Sequence, residues 1–266
     1  MEEYDLNDIK NSFKNLPINL GDNIYICPEL FRFGLFKNAN KNSYYSSFYN
    51  EIKKKIGVKG TILINTYTFQ VLRYKKKFVY EKTISTSGEF SEYIRKLNGS
   101  VRSEHPVFSV SAIGRGSRYF CTNNSFHNYG EDSPYSKFLK AGGKILNLGM
   151  DYHLNPFLHV AEFNMGVPYL YNKLTKVKYY KNNKSKNKIY STAVRYLNLN
   201  LKGEYQLLKN ELKKIKIYKS KLGSGYIYLY DVNKYYNGVT KVLKDNFLNI
   251  SKKNSFYGEY TFYYWV

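Results

Sequence analysis

Short apolar runs recur through the first half of the chain and predict the strands of a sheet. They are GDNIYIC at 21–27, GTILINTYTF at 60–69, VFSVSAIG at 107–114 and KILNLG at 144–149. Runs of this length that are rich in β-branched and aromatic residues are typical of strands that are shielded from water.

The segments between these runs have apolar residues at helical spacing. SYYSSFYNEIKKKIG at 43–57 stops at a glycine, SGEFSEYIRKLNG at 87–99 begins at a serine, and SPYSKFLKAGG at 133–143 begins with serine and proline. A serine cap, a proline in the first turn and a glycine after the last turn are common limits of helices. Strands that alternate with helices predict an α/β fold with a central mixed β-sheet flanked by helices.

The pattern changes after residue 170. VKYYKNNKSKNKIY at 177–190 is basic and polar, which is typical of a long hairpin or an exposed loop. GEYQLLKNELKKIKIYKSKLG at 203–223 predicts a helix, SGYIYLYDV at 224–232 a strand, and Asn233–Asn249 a further helix.

No internal repeat and no Pro/Ser-rich linker divides the sequence. We therefore expect a single domain over residues 1–266. Its core lies at about 20–170, and 171–266 form a C-terminal elaboration.

The composition adds a strong positive charge. Forty-two Lys and Arg against twenty Asp and Glu give a net charge of +22, and 43% of the residues are hydrophobic. The apolar content excludes a disordered chain. The charge attracts nucleic acid, anionic membrane surfaces and phosphorylated small molecules, although a coding bias toward lysine explains much of the total.

The sequence also bears on the compartment. No apolar run approaches the ~20 residues of a membrane-spanning helix. MEEYDLNDIKNSF at the start lacks the pattern of a secretory signal. Cys27 and Cys121 are too few for a disulfide framework. These features predict a cytoplasmic protein without a membrane span.

LHVAEF at 158–163 contains one of the four histidines of the chain. His159 and Glu162 are three residues apart, so on a helix they share a face. A histidine oriented by a carboxylate can take a proton near neutral pH. A histidine that only packs a core is the alternative. A metal site needs about three or four ligands; neither His105 nor His153 completes such a set, so we expect no metal.

Four motifs in a fixed order favour catalysis. They are G-x-F-x-E-x-x-R at 88–95, R-S-x-H-P-x-x-S-V-x-A-I-G at 102–114, G-x-x-S-P at 130–134 and L-H-x-A-E at 158–162. In this order they resemble the aminoglycoside 3-N-acetyltransferase family. The resemblance covers about residues 20–170. It implies acetyl transfer from acetyl-CoA to an amine of a sugar, within a single α/β domain.

The resemblance implies roles for individual residues. His159 is the expected general base, and Glu162 orients it or contacts the substrate amine. The residues expected to bind acetyl-CoA are Leu30, Phe31, Arg32, Phe33 and Gly34 in the loop after the first strand, and Ser109, Val110 and Ser111, whose backbone would lie beside the pantetheine arm like an added strand. The residues expected at the acceptor pocket are His105, Tyr67, Glu92 and Asp151. His127 and His153 are expected on the surface or behind the site.

The sequence departs from the family pattern at two places. Pro28 and Glu29 stand where relatives carry serines, and Phe31 takes the usual arginine position with Arg32 one residue later. Pro156 stands where the family usually has threonine, so a backbone N–H is expected to support the thioester oxyanion.

The acceptor is less constrained than the reaction. Because the chain is basic, we favour an anionic amino sugar attached to a nucleotide diphosphate. The alternatives are an enzyme that acetylates aminoglycoside antibiotics and a non-catalytic binder of single-stranded nucleic acid, which the dispersed aromatics disfavour. An acetyl-cysteine intermediate on Cys27 or Cys121 is another possibility, but direct attack in a ternary complex is preferred. The sequence is compatible with a monomer or a homodimer.

Overall fold

The structure is a computed structural model that describes residues 2–37, 40–196, 199 and 201–253. Its strands, in chain order, are β1 (Glu3–Tyr4), β2 (Asn23–Pro28), β3 (Leu35–Phe36), β4 (Thr61–Asn65), β5 (Phe78–Val79), β6 (Val101–Arg102), β7 (Val110–Gly114), β8 (Lys144–Leu148), β9 (Leu170–Lys181), β10 (Lys184–Arg195), β11 (Leu201–Gly203), β12 (Tyr218–Leu222), β13 (Gly225–Asp231) and β14 (Ser251–Lys253).

The helices of the described residues cover both faces of the main sheet. They are α1 (Leu6–Lys14), α2 (Lys41–Ile56), α3 (Phe69–Arg73), α4 (Glu89–Lys96), α5 (Ser117–Cys121), α6 (Pro134–Ala141), α7 (Pro156–Asn164), α8 (Gln206–Leu212) and α9 (Val232–Asp245), with a 3-10 helix at Leu30–Phe33.

A seven-stranded sheet forms the centre of the fold, in the order β12-β13-β8-β2-β4-β7-β6. β2 runs parallel to β4 and to β8. The outer strands on both sides pair antiparallel with their neighbours. The mixed sheet flanked by helices confirms the predicted α/β fold.

β2 shows why the centre of the sheet appears in the sequence as a continuous apolar run. Ile24 and Ile26 belong to the core on the side of α1, α2 and α4, whereas Tyr25 and Cys27 belong to the core on the side of α5, α6, α7 and α9. Side chains alternate across a strand, so a strand with helices on both faces is apolar at every position.

The basic segment after residue 170 is a hairpin. β9 and β10 are its two arms and form a second sheet with β5. The arms meet at Asn182 and Asn183, whose φ values of 50° and 59° are ones that asparagine tolerates and a tight hairpin turn requires. Glu104 anchors the turn end through Lys181 at 2.8 Å and Lys188 at 2.5 Å.

The helix predicted at 203–223 is wrong over its second half. α8 ends at Leu212, and Tyr218–Leu222 is instead strand β12, paired with β13. KIKIYKSKL at 214–222 has lysine at nearly every second position, the period of a strand. The helix α9 ends at Asp245, before its predicted limit.

The C-terminal part of the chain extends the main sheet. β12 and β13 pair into the same sheet as β2. A single domain over residues 1–266, with 171–266 as an elaboration, stays a prediction. The description of this elaboration ends at residue 253. Within the described ranges, no helix is both long enough and apolar enough to cross a bilayer.

Candidate active site

Two neighbouring parallel strands lead into the segments with predicted chemistry. β2 and β8 end side by side, with Pro28 opposite Leu148. The predicted cofactor loop after β2 and the helix α7 that follows β8 therefore emerge at the same edge of the sheet. Gly149 permits this close approach, because an added Cβ would lie 2.4 Å from the Glu29 carbonyl oxygen.

The helix α7 places the predicted catalytic residues inside the core. Asn155 caps it by accepting the Phe157 N–H at 2.9 Å, and Pro156 occupies the first turn. His159 is 6% exposed and Glu162 is fully buried. Because the cap already uses the Phe157 N–H, that group does not supply the expected oxyanion donor.

His159 and Glu162 contact each other directly. Nδ1 of the histidine lies 2.5 Å from Oε2 of the glutamate. An ionised carboxylate only accepts hydrogen bonds, so Nδ1 carries the hydrogen. A neutral imidazole then has its lone pair on Nε2, which is the arrangement of a general base oriented by a carboxylate.

The other oxygen of Glu162 binds two groups outside the four motifs. Oε1 accepts hydrogen bonds from the Tyr169 hydroxyl at 2.8 Å and from Nη2 of Arg195 at 2.7 Å. Burial by itself would raise the pKa of Glu162, but the charge of a protonated His159, the charge of Arg195 and the hydrogen bonds lower it well below its usual range. Glu162 is therefore ionised at neutral pH.

A narrow cavity lies beside His159. Its volume is about 20 Å³. Most of its walls are apolar or aromatic, and part of them comes from the open end of the hairpin. The lining residues are Phe108, Tyr129, His159, Glu162, Leu170, Ala193, Val194 and Arg195.

His105 does not line this cavity, but its ring centre lies 6.1 Å from that of Phe108, which does. Its Nδ1 accepts the N–H groups of Val107 and Phe108 at 3.3 and 3.0 Å, and its Nε2 lies 3.2 Å from the Ser191 carbonyl oxygen. Burial lowers the pKa of His105 to about 4, so the ring is neutral and donates from Nε2. It joins the turn that carries Phe108 to the hairpin.

The other predicted acceptor residues do not line the cavity. The hydroxyls of Tyr67 and Tyr135 are 2.8 Å apart, and the Tyr67 ring lies 4.9 Å from that of Phe108. Glu92 is held on α4 by an ion pair with the arginine that follows it on the same helix. Asp151 is exposed after the end of β8. Their acceptor roles stay predictions.

Part of the predicted cofactor loop is accessible to a ligand. Leu30 and Phe33 are buried, and Gly34 ends the 3-10 helix. Phe31 is 75% exposed, and the guanidinium of Arg32 lies 5.7 Å from the centre of its ring. An aromatic face and a cation are thus available at this edge of the sheet.

The predicted backbone contact at Ser109–Ser111 stays a prediction, although the backbone of Ser111 is already paired within the sheet. β7 lies inside the sheet, between β4 and β6. Ser111 pairs with Ile64 on one side and with Arg102 on the other. At Ser111 the strand has neighbours on both sides, so an added strand would find no free edge there.

The two remaining histidines are buried, so of the two expected positions the surface is wrong and a place behind the site stays a prediction. The ring of His127 stacks on that of Phe163 with 4.3 Å between the ring centres, and its Nε2 lies 2.9 Å from Oδ1 of Asn172. His153 is 4% exposed, and its ring lies 5.1 Å from that of Tyr205. Aromatic neighbours cover both rings.

The cysteines and the acidic groups do not suggest other chemistry. Cys27 and Cys121 are buried free thiols. Burial raises the pKa of Cys121 to about 12 and also raises that of Cys27, which disfavours the nucleophilic thiolate. No group of three or more His, Cys, Asp or Glu in the described part of the chain is placed to hold a metal ion.

Tyr169 and Arg195 are site residues that the motifs did not reveal. Tyr169 directly precedes β9 and Arg195 ends β10, where it pairs with Leu170. One signal was present in the sequence: after Arg118, every Lys or Arg position except 195 is lysine. A single arginine in such a segment indicates a role for its planar guanidinium.

The chain matches a known protein family over most of its length. The family model described as aminoglycoside 3-N-acetyltransferase matches residues 44–244. The chain belongs to the aminoglycoside 3-N-acetyltransferase family. The match extends beyond the four motifs and includes the hairpin that carries Arg195.

This chain is similar to a curated relative in sequence and to solved structures in fold. Aminoglycoside N(3)-acetyltransferase VII of Streptomyces paromomycinus is 25% identical over 130 residues, which are 42% of this chain and 45% of the relative. The match thus spans less than half of that relative's length. The solved structure of AAC-IIIb in a binary complex with CoASH is similar to this acetyltransferase-family chain, with a TM-score of 0.75 at 18% identity. The matched region covers 91% of this chain and 97% of the AAC-IIIb chain.

A second solved structure has the same fold. AAC-VIa bound to sisomicin has a TM-score of 0.75 at 17% identity, with 91% of this chain and 98% of that chain covered. At these identities the similarity shows the fold of the family, including its arrangement of helices around a mixed sheet.

Proposed function

We propose that this family member transfers the acetyl group of acetyl-CoA to an amino group of an aminoglycoside, with His159 as general base. The contact between His159 and Glu162 beside a narrow cavity is the observation that carries the proposal. Family membership supports it, as do the CoASH and the sisomicin bound by two proteins of the same fold.

The position of His159 suits the removal of a proton from the acceptor. A sugar amine is mostly protonated at neutral pH and cannot attack a thioester until it loses a proton. The amine that has lost its first proton to water attacks the thioester carbon, and with Nδ1–H bonded to Glu162, Nε2 takes the second proton from the nitrogen as the C–N bond forms. The ionised Glu162 stabilises the imidazolium that results. Nε2 then returns the proton to the departing sulfur as the C–S bond breaks.

Phe31 and Arg32 fit the chemistry of coenzyme A. When bound, acetyl-CoA supplies the thioester carbonyl and the thiolate leaving group. The exposed ring of Phe31 can stack on adenine, and the half-exposed guanidinium of Arg32 can bind phosphate. Arg32 pairs with Glu29 in the structure, so a bound phosphate has to compete with that carboxylate.

The acceptor in this proposal differs from the one that the sequence favoured. The net charge of +22 favoured a nucleotide-linked amino sugar. The comparisons support the aminoglycoside alternative better. A cavity of about 20 Å³ holds about one water molecule. We therefore expect the wall formed by Leu170, Ala193 and Val194 to move when an acceptor enters.

Release of coenzyme A, measured with a thiol reagent, tests the choice of acceptor. The protein is incubated with acetyl-CoA and one of three candidates: sisomicin, a nucleotide-linked amino sugar or a single-stranded oligonucleotide. We expect release of CoA with sisomicin alone, together with an acetylated product in the mass spectrum.

Two outcomes would overturn the proposal. Turnover of the nucleotide-linked sugar without turnover of any aminoglycoside would restore the acceptor that the sequence favoured. Absence of turnover with both sugars, combined with salt-dependent binding of the oligonucleotide, would favour the nucleic-acid binder.

A further inference from the structure

The open end of the hairpin holds a buried ion pair against Glu162. Nη2 of Arg195 lies 2.7 Å from Oε1, and the arginine side chain is 9% exposed. Its guanidinium lies 5.3 Å from the centre of the Tyr169 ring, and the Tyr169 hydroxyl bonds the same oxygen. Oε1 of Glu162 therefore accepts hydrogen bonds from both Arg195 and Tyr169, and its Oε2 contacts His159.

We propose that Arg195 is a positioning residue that fixes the reactive tautomer of His159 by keeping Glu162 ionised and in place. This inference rests on the general-base role proposed above for His159. The hairpin lies outside the four sequence motifs, and the proposal assigns it a chemical role.

The reason lies in the two protonation states available to Glu162. A protonated carboxyl can donate its O–H to Nδ1, and the imidazole hydrogen then sits on Nε2, where it blocks proton uptake. An ionised carboxylate can only accept, so it selects the Nδ1–H tautomer. The charge of the carboxylate, and not only its position, therefore decides which nitrogen can act as the base.

Arg195 is suited to keep that charge in a buried site. A buried carboxylate is costly unless a charged partner and hydrogen bonds compensate for the lost water. Of the three described residues that bond Glu162, Arg195 alone is permanently charged, since Tyr169 is a neutral phenol and His159 changes its charge during the reaction.

The neighbouring titratable groups support the same view. Tyr129 comes from the segment before α6, and Tyr205 from the segment before α8. Burial raises the pKa of both phenols, so both are neutral near physiological pH. They do not replace the charge of Arg195.

If Arg195 only anchored the hairpin, loss of any other ion pair that anchors the hairpin should have the same effect on kcat. Lys188 lies earlier on the same strand, nearer the turn, and anchors the hairpin to Glu104 at 2.5 Å. Its replacement by methionine removes a hairpin ion pair without touching Glu162 or the cavity. Lys188→Met is therefore a matched control for an anchoring role.

The test measures the tautomer and the kinetics of Arg195→Gln and Arg195→Lys. Glutamine can still donate a hydrogen bond to Oε1 but has no charge, whereas lysine keeps the charge. Two-bond ¹H–¹⁵N correlation spectra of labelled protein report which ring nitrogen of His159 carries the hydrogen. The signals are assigned by their loss in His159→Gln.

We expect the Nδ1–H pattern in the wild type, in Arg195→Lys and in Lys188→Met, and a mixture of tautomers in Arg195→Gln. With the acceptor found above, kcat of Arg195→Gln should fall about 10–100-fold, with KM for acetyl-CoA nearly unchanged. Arg195→Lys should recover most of that loss, and Lys188→Met should keep the wild-type kcat.

The proposal is overturned if folded Arg195→Gln keeps both the Nδ1–H pattern and the wild-type kcat. If Arg195→Gln does not fold, the Arg195→Lys variant provides the test. Loss of the Nδ1–H pattern in folded Arg195→Lys, which keeps the positive charge, would show that the charge does not fix the tautomer. The spectra need no substrate. If the spectra are as expected but no acceptor is acetylated, the proposed function is refuted and the positioning role of Arg195 still holds.

Discussion

Glu162 shows how much of a site can depend on a single buried carboxylate. It accepts hydrogen bonds from His159, Tyr169 and Arg195. Its contact with His159 could be predicted from the sequence, because helix geometry relates residues three apart. The contacts with Tyr169 and Arg195 could not, because they depend on how the hairpin packs against α7, and local spacing contains no information about that packing.

Replacing Glu162 with glutamine keeps the shape of the side chain and removes its charge. We expect kcat to fall about 10²–10⁴-fold, because the amide no longer selects one histidine tautomer. The free energy of unfolding should fall by about 3–5 kcal/mol, since Arg195 becomes an unpaired buried charge. Steady-state kinetics and denaturant unfolding measure the two effects.

Glu211→Gln is the control for this substitution. It removes a carboxylate on α8 that pairs with Lys214 and Lys241. Its kcat and its free energy of unfolding should stay close to those of the wild type. A Glu162→Gln enzyme with wild-type kcat would contradict the assignment of the pair.

His105 predicts a specific loss of stability in acid. Its pKa is about 4 in the folded protein and about 6.5 when unfolded, because burial disfavours the charged ring. The unfolded chain therefore binds the extra proton first. The stabilising contribution is fully present above pH 6.5 and is lost as the pH falls from about 6.5 to about 4.

His105→Asn isolates this contribution. Asparagine can accept the same backbone N–H groups but does not titrate. Between these pH values, the wild-type free energy of unfolding should fall by about 3 kcal/mol more than that of the variant. Urea unfolding at several pH values measures the difference, and parallel curves for the two proteins would refute the prediction.

At the scale of elements, the hairpin β9–β10 connects stability with chemistry. Glu104 holds its turn end between Lys181 and Lys188, and its open end supplies Arg195. The polar, lysine-rich sequence of 177–190 predicted a hairpin or a loop, and the structure has a hairpin. The link to α7 stayed hidden because it is a tertiary contact.

Replacing Glu104 with glutamine should loosen the turn end of the hairpin. Two ion pairs to lysines are lost, so we expect faster trypsin cleavage near Lys181 and Lys184 with only a small change in kcat. Limited proteolysis followed by mass spectrometry measures the rate at these sites. The control is Glu131→Gln, which removes an exposed pair with Lys140. Equal cleavage of the variant, the control and the wild type would argue against an anchoring role for Glu104.

At the scale of the whole molecule, the sequence predicted the central strands well. β4, β7 and β8 lie within their apolar runs and β2 extends one residue beyond its run, to Pro28, because strands covered on both faces must be apolar along their length. The error at 203–223 arose where lysine alternation mixed with leucines at helical spacing. The expectation of an added strand at Ser109–Ser111 did not anticipate that β7 lies inside the sheet, because strand order does not follow from local pattern.

The net charge of +22 predicts opposite salt effects on the two substrates. Raising NaCl from about 0.05 to about 0.5 M shortens the screening length. KM for the polyanion acetyl-CoA should rise, because attraction weakens, and KM for a cationic aminoglycoside should fall, because repulsion weakens. Initial rates at fixed pH test this, with sucrose at equal osmolality as a control. A parallel change of both KM values would rule out the electrostatic explanation.

The most direct test of the account is the rate of acetyl transfer to an aminoglycoside by the wild type and by His159→Gln. Both proteins are first shown to have the same circular dichroism and to bind acetyl-CoA. The account predicts that the wild type forms one acetylated product and that the variant is slower by about 10²–10⁴-fold. Acetyl transfer at the same rate by both proteins would contradict it.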